Sequence, residues 1–317
     1  MIYIKFTLSI VILIFSFFGP YTSFLNHTPF NNNHYLNVIS GEPINKTISE
    51  ISELNIINKL FLRIYLYHNE INNFQAGEYQ LKNKILKDII DDLNNGRTVT
   101  HKILINEGMN IYQLNQLIDD SHLINDCNML ECVKTDLSFK EGILFPDTYY
   151  YKKNTLASKI LQKSHDILNK HLNYFFKNKH LNNPLNRKEI LILASIIEKE
   201  AGNNDEKFNI SSVFLKRLSI DMKLQADPTI IYGLLPNFDG DIKKSDILDR
   251  NNKYNTYMIK GLPPTPIALV SLTSLDAAAN ANLGEYLYFV ANSPNSHYFS
   301  KTYQEHLNKI NELRLNK

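Results

Sequence analysis

The chain has no tryptophan and only two cysteines among 317 residues. Without tryptophan, aromatic contacts to a ligand fall to its 18 tyrosines and 17 phenylalanines. Cys127 and Cys132 are spaced C-x4-C, which is neither a zinc nor a thioredoxin signature. They read as two unrelated thiols or as a local disulfide, the latter only in an oxidising compartment. An excess of one charge is also missing. A formal net charge of +2 and the lack of a long Lys/Arg block argue against nucleic acid as a partner. No GxSxG elbow, HExxH helix or Gly-rich phosphate loop occurs, so those hydrolase and nucleotide chemistries lose their handles. His297 and His306 lie far from any metal-ligand spacing, and His297, beside Tyr298 and Phe299, reads first as a satisfied structural histidine.

What is present is enough apolar material, 44% of residues, for one large or two modest domains. Asn, Ile and Lys are used heavily but evenly, a compositional bias rather than a low-complexity domain. Phe6 to Phe24 contains no charged side chain, and about 19 residues reach the length that spans a hydrocarbon core. Lys5 precedes the run and no Lys or Arg follows until Lys46. That asymmetry favours a retained anchor over 1–24, with the amino terminus cytoplasmic and the body outside. A cleavable signal peptide is the rival, but Gly19-Pro20-Tyr21 is a poor cleavage site.

Residues 25–46 are polar and Asn-rich and read as a linker. A small α+β region follows over 47–135. Ile48, Ile51, Leu54, Ile57, Leu60 and Leu62 suggest a helix pair. Phe74 to Leu81 alternates like a strand, and Ile85, Ile89, Ile90 and Leu93 repeat at helical spacing before Gly96. His101 to Ile105 is again strand-like, Asn106-Glu107-Gly108 a turn, and Ile111 to Ile118 a helix. Strand, turn and helix thus occur twice, as in a duplicated small module or in two unrelated α+β pieces.

From 136 to 317 the pattern is that of a larger mixed α+β domain. Gln225 to Thr229 reads as a loop, because Asp227-Pro228 biases the chain away from helix. Ser274 to Ala281 reads as a helix capped by Ser274, and Tyr286 to Val290 as a strand close to a core sheet.

The most informative segment is Ala194-Ser195-Ile196-Ile197-Glu198-Lys199-Glu200. Ile190, Leu193, Ala194, Ile197 and Ala201 form a helical core stripe, widened by Ile192 and Ile196. A glutamate held against aliphatic neighbours ionises reluctantly, so it can carry a proton at neutral pH. That is what a general acid in glycoside cleavage requires. Glu200 shares its flank with Leu193 and Ile196, whereas Glu198 lies beside Leu191 and Ser195. Glu200 is therefore the expected acid, with Glu198 as second candidate. The bland alternative is a surface pair of carboxylates bonded to Arg187, Lys188 or Lys199. Gln225, Asp227, Tyr232, Asn255, Thr256 and Tyr257 sit among Gly and Pro in short loops, where binding residues often lie. Tyr, Asn and Gln suit the hydroxyls, amides and ring faces of a sugar polymer.

Glu141-Gly142-Ile143-Leu144-Phe145-Pro146-Asp147-Thr148-Tyr149 resembles the E-G-x-x-F-P-D-T-Y block of the YceG-like endolytic murein transglycosylases. Ala194 to Glu200 resembles that family's A-S-I-[IV]-E-K-E helix, and Leu224 to Gly233 its L-Q-[ST]-D-P-T-x-x-Y-G loop. Tyr254 to Tyr257, Gly261 to Ile267 and Tyr286 to Val290 follow in the family's order. Phe74 to Tyr79 and Asn106 to Gly108 weakly resemble its LysM-like amino-terminal part. Departures are Ala201 after the acid, Ala226 in the loop, Asn106 and Ser296-His297.

The resemblance implies a membrane-anchored α+β enzyme, single-pass in the inner membrane and facing the periplasm. It implies cleavage of peptidoglycan glycan strands between N-acetylmuramic acid and N-acetylglucosamine, leaving 1,6-anhydro ends. It maps the acid to Glu200, places Glu141 with the substrate-binding residues, requires no metal or cofactor, and points to glycan polymerases of the cell-wall synthesis complex as partners. A hydrolase using Asp227 or Glu198 as second carboxylate and a non-catalytic peptidoglycan-binding scaffold are the alternatives.

Overall fold

The structure, a computed structural model, describes residues 15–293 and 296–315. The chain forms two compact units, Met1–His101 with Tyr150–Asn154, and Lys102–Tyr149 with Thr155–Lys317. The division after His101 differs from the expected boundary at 135/136. The two strand–turn–helix segments that look alike in sequence therefore belong to different units.

In the first unit, helix α1 covers the described residues 15–26. It is followed by β1 (Tyr35–Val38), α2 (Ile44–Ser49), α3 (Ile56–His68), β2 (Gly77–Gln80) and α4 (Leu86–Asn95). Strands β1 and β2 pair antiparallel with Leu36 opposite Tyr79. Residues 25–46 are no free linker: Leu25, Leu36 and Val38 are buried in the unit's core with Ile48, Leu62, Tyr79 and Ile90. The alternation of Leu36 and Val38 is too short to stand out among the asparagines. Helix α4 ends where Gly96 turns left-handed at φ 64°, as a C-terminal glycine should. Residues 6–14 of the apolar run Phe6 to Phe24 lie outside the described residues, and its remainder belongs to α1. Among the described residues no helix is long and apolar enough to cross a membrane.

The second unit is mainly helical. It contains most of β3 (His101–Ile105) and of β4 (Asp147–Tyr151), together with α5 (Ile111–Asp119), α6 (Ala157–Lys177), α7 (Arg187–Glu200) and α8 (Lys207–Ser219). There follow α9 (Asp227–Leu234), α10 (Lys244–Leu248), α11 (Leu272–Asn280), β5 (Tyr288–Ser293), β6 (Ser296–Ser300) and α12 (Tyr303–Leu315). Strands β3 and β4 pair, and β5 and β6 form an antiparallel hairpin with Phe289 opposite Phe299. The expected core sheet around Tyr286 to Val290 is thus a two-stranded, half-buried hairpin.

The centre of this unit is α7. Eight consecutive residues, Ile190 to Ile197, are buried, so the helix is enclosed on all sides rather than amphipathic. Each fully buried Ile or Leu contributes roughly 1.5–3 kcal/mol. Helix α11 packs against α6, α7 and α8. Its buried Ala277, Ala278 and Ala279 are small enough to let several helices approach at once. Its cap is Ser271, which accepts from the backbone N–H of Ser274, three residues earlier than the sequence suggests. A disulfide joins Cys127 and Cys132.

Candidate active site

Asn186 caps α7 and Glu189 closes the capping box, which fixes the entry of the buried helix. Ser195 donates to the Ile192 carbonyl at 2.7 Å and accepts the Ile267 N–H at 3.0 Å. This ties the helix to the segment after Pro266. At the other end Ala201 leaves helical geometry at φ −70°, ψ 125°, so Glu200 is the last helical residue.

Glu198 and Glu200 share that last turn but have opposite surroundings. Glu198 Oε2 accepts from the Ser271 N–H at 2.9 Å, the Ser271 hydroxyl at 2.5 Å and the Ser274 hydroxyl at 2.6 Å. Lys207 Nζ lies 3.2 Å away, and the two side chains are 8% and 5% exposed. Lys207 also donates to Ser271 and Thr273 at 2.8 and 3.1 Å. Burial alone would raise the Glu198 pKa, but the serine bonds and the ammonium outweigh it and hold the carboxyl below its ordinary value. The Glu198 carboxylate is therefore an anion locked onto the N-terminus of α11, whose dipole also favours it, and onto the Lys207 ammonium of α8.

The Glu200 carboxyl accepts no hydrogen bond from the described residues. It sits deep among protein atoms while its residue keeps partial solvent contact. Burial pushes its pKa up to about 8, the negative charge of Asp227 adds to this, and the Arg217 guanidinium opposes it. Sequence spacing ranks Glu200 first because its flank looks drier. The structure gives a different reason: Glu198 is shielded too, but its charge is compensated and that of Glu200 is not.

Two elements complete the surroundings of Glu200. The segment from Leu224 leads into α9, which begins at Asp227 with Pro228 in its first turn. The expected loop therefore ends earlier, since proline is tolerated at a helix start. Gln225 is exposed and left-handed at φ 50°, a costly backbone for a non-glycine residue. The segment is stitched by Ala226 N–H to Thr256 Oγ1 at 2.9 Å and by the buried Thr229–Thr256 hydroxyl pair at 2.9 Å. Asp227 is exposed and accepts from the Tyr257 hydroxyl at 2.6 Å. Burial and the Asp227 charge push the Tyr257 hydroxyl well above its ordinary pKa.

Arg217 of α8 is the second element. It is buried and donates to the carbonyls of Leu224 and Leu287, the former from Nη1 and the latter at 2.7 Å from Nε. Its guanidinium lies 5.6 Å from the Tyr288 ring centroid. Sequence reasoning missed it. A cation inside the apolar stripe of Val213, Phe214 and Leu218 was the available signal.

The structure thus brings together Glu200, Asp227, Tyr257 and Arg217, beside Gln225. It does not leave the other candidates free for a ligand. Asn255 is fully buried, donates to the carbonyls of Asp246, Ile247 and Asp249 and accepts from the Tyr257 N–H. Its amide has no donor left for sugar. Glu141 is 4% exposed and accepts from the Ile111 and Gly142 N–H groups and from the Tyr232 hydroxyl, each at 2.9 Å. Burial raises its pKa against those three bonds. Glu141 and Tyr232 therefore act as an internal brace at the start of α5. Gly142 has φ 71°, and a Cβ there would lie 2.5 Å from Pro266 Cβ, so only glycine fits. His297 bonds Glu206 through its N–H at 2.6 Å and Nδ1 at 2.8 Å, a structural role.

A carboxylic acid kept protonated near a second carboxylate and a guanidinium is equipment for general acid–base catalysis on a polar substrate. The chain belongs to the YceG-like family, whose model matches residues 36–312. It is similar to an endolytic murein transglycosylase of Bacillus subtilis, 31% identical over 304 residues, with 87% of this chain and 83% of the relative covered. A protein of the same name in Streptococcus pneumoniae is 25% identical over 295 residues, covering 80% of this chain and 53% of that longer relative. The crystal structure of a YceG-like protein from Listeria monocytogenes matches with a TM-score of 0.56 and 26% identity, over 87% of this chain and 98% of that one.

Proposed function

We propose that this protein is an endolytic murein transglycosylase, cleaving peptidoglycan strands internally between N-acetylmuramic acid and N-acetylglucosamine. The observation that carries the reading is the uncompensated carboxyl of Glu200, protonated at neutral pH at the end of a buried helix. Glu200 donates its proton to the glycosidic oxygen as the bond to the muramyl anomeric carbon breaks. The resulting carboxylate, stabilised by Arg217, then takes the proton of the muramyl sugar's own primary hydroxyl. That oxygen closes on the anomeric carbon and gives the 1,6-anhydro end. One group serves as acid and then base, so the route consumes no water. Asp227, Tyr257 and Gln225 orient the sugar and offset positive charge at the anomeric carbon. Asn255, Tyr232 and Glu141 support this surface from behind.

The same reading makes the chain a single-pass protein of the inner membrane, anchored through residues 1–24 with its body in the periplasm. The disulfide supports an oxidising compartment. Residues 47–135 are read as the LysM-like region, and the activity as one that ends nascent strands beside the glycan polymerases.

Asp227 gives a specific alternative, since a second carboxylate near the acid could activate water. Purified glycan strands digested by the wild type and by Glu200→Gln separate the outcomes. Products lighter by one water than hydrolysis products, absent with Glu200→Gln, support the lytic route. Reducing ends mean hydrolysis. A Glu200→Gln protein that keeps its full cellular role would mean a scaffold.

A further inference from the structure

Helix α3 carries a second apolar face that the core does not use. Phe61, Leu62 and Tyr65 point into the first unit. Ile56 and Tyr67 are 88% and 89% exposed, and Ile57, Leu60 and Ile64 at least 37%. At about 100° per residue these five fall within one arc of about 100°. Single exposed apolar residues are ordinary, but a contiguous stripe marks an interaction surface. Lys59 and Arg63, both exposed, lie on the flank beside Ile56, and α3 contains no acid. Glu53 and Glu70 lie beyond its ends.

The core-facing side of α3 meets the amino-terminal apolar run. Phe17, Tyr21 and Phe24 of α1, all within that run, pack on Phe61 at ring distances of 5.4, 5.5 and 6.2 Å. Phe15 and Phe18 of α1 are more than half exposed. An apolar stripe flanked by cations and free of acids is the signature of a helix lying in a membrane interface.

We propose that α3 docks on an anionic lipid surface. Ile56, Ile57, Leu60, Ile64 and Tyr67 enter the headgroup–acyl boundary, while Lys59 and Arg63 pair with lipid phosphates. The proposal rests on the anchored reading above but concerns a different contact. The anchor holds the chain to the bilayer, and α3 sets how the first unit meets it.

Because the chain lacks tryptophan, Tyr67→Trp in the full-length protein gives a single indole reporter. The protein is reconstituted with phosphatidylcholine/phosphatidylglycerol vesicles, with or without lipid doxyl-labelled near the headgroup. Docking predicts blue-shifted emission and at least about twofold quenching by the shallow doxyl lipid. In a Lys59→Gln/Arg63→Gln background the docked-to-undocked ratio should fall roughly 30-fold. Flotation and alkaline extraction of the same samples report the anchor separately. Protein that resists extraction but shows no quenching keeps the anchor and overturns the docking. Quenched protein that alkali releases keeps the docking and removes the anchor. Protein that does not float refutes both. A blue shift that grows with protein concentration and ignores doxyl lipid means that a second copy covers the stripe, and overturns the proposal.

Discussion

The two flanks of the last turn of α7 hold the same functional group two residues apart and treat it in opposite ways. On one, Glu198 receives three short bonds from Ser271 and Ser274 and faces Lys207. On the other, Glu200 receives none from the described residues and faces the negative charge of Asp227. Burial acts on both and by itself would raise both pKa values. The compensation differs, and it decides which carboxyl is a fixed anion and which carries a proton. It also links them: a side chain with no bonds of its own is positioned by its backbone, and Glu198 pins that backbone to α8 and α11.

The contrast can be broken most sharply at Glu200 itself. Glu200→Gln should lower kcat on glycan strands by about 10³-fold or more while binding persists, because it keeps the shape and removes the transferable proton. Next in size, Glu198→Ala should cost about 3–5 kcal/mol in a denaturant melt, since it strands the buried Lys207 charge. Glu200→Gln should do the reverse. A folded pKa raised above the unfolded value gives stability that is full below the unfolded pKa and is lost as pH rises through the folded one. The wild type therefore loses stability between about pH 4.5 and pH 8. Glu200→Gln escapes that loss, and melts at pH 8 should show a gain on the order of 2–4 kcal/mol, reduced by its partial solvent contact. The same melts at pH 4 should show little difference.

Much of this pair was legible in the sequence, because the helix pattern and the E-K-E spacing are local. The compensation was not. Ser271 and Ser274 lie more than seventy residues away from Glu198, and only the fold brings them to it. Asn255, Tyr232 and Glu141 show the same limit. A polar residue between Gly and Pro looks alike in sequence whether it faces a ligand or braces a turn, and here all three brace. Residues 25–46 fail for another reason: a two-strand ladder needs only Leu36 and Val38 to bury, too few to register as a pattern.

The bracing role sharpens the comparison on a smaller scale. Asn255→Ala should cost about 2–3 kcal/mol of stability by removing three bonds to carbonyls, whereas a sugar-binding asparagine would raise KM and leave the melt unchanged. Smaller still, Asp227→Asn removes a charge that raises the Glu200 pKa. The descending limb of the kcat/KM pH profile, near pH 8 in the wild type, should move to lower pH by about one unit or less. A limb that stays in place would mean that Asp227 does not act on Glu200.

Carbon-13 NMR titration of labelled glutamate carboxyls, with Glu200→Gln to assign the resonance, reads the protonation of Glu200 directly. The expected midpoint is near pH 8, far from the exposed glutamates. A Glu200 carboxyl fully ionised below pH 5 in the folded protein would contradict it.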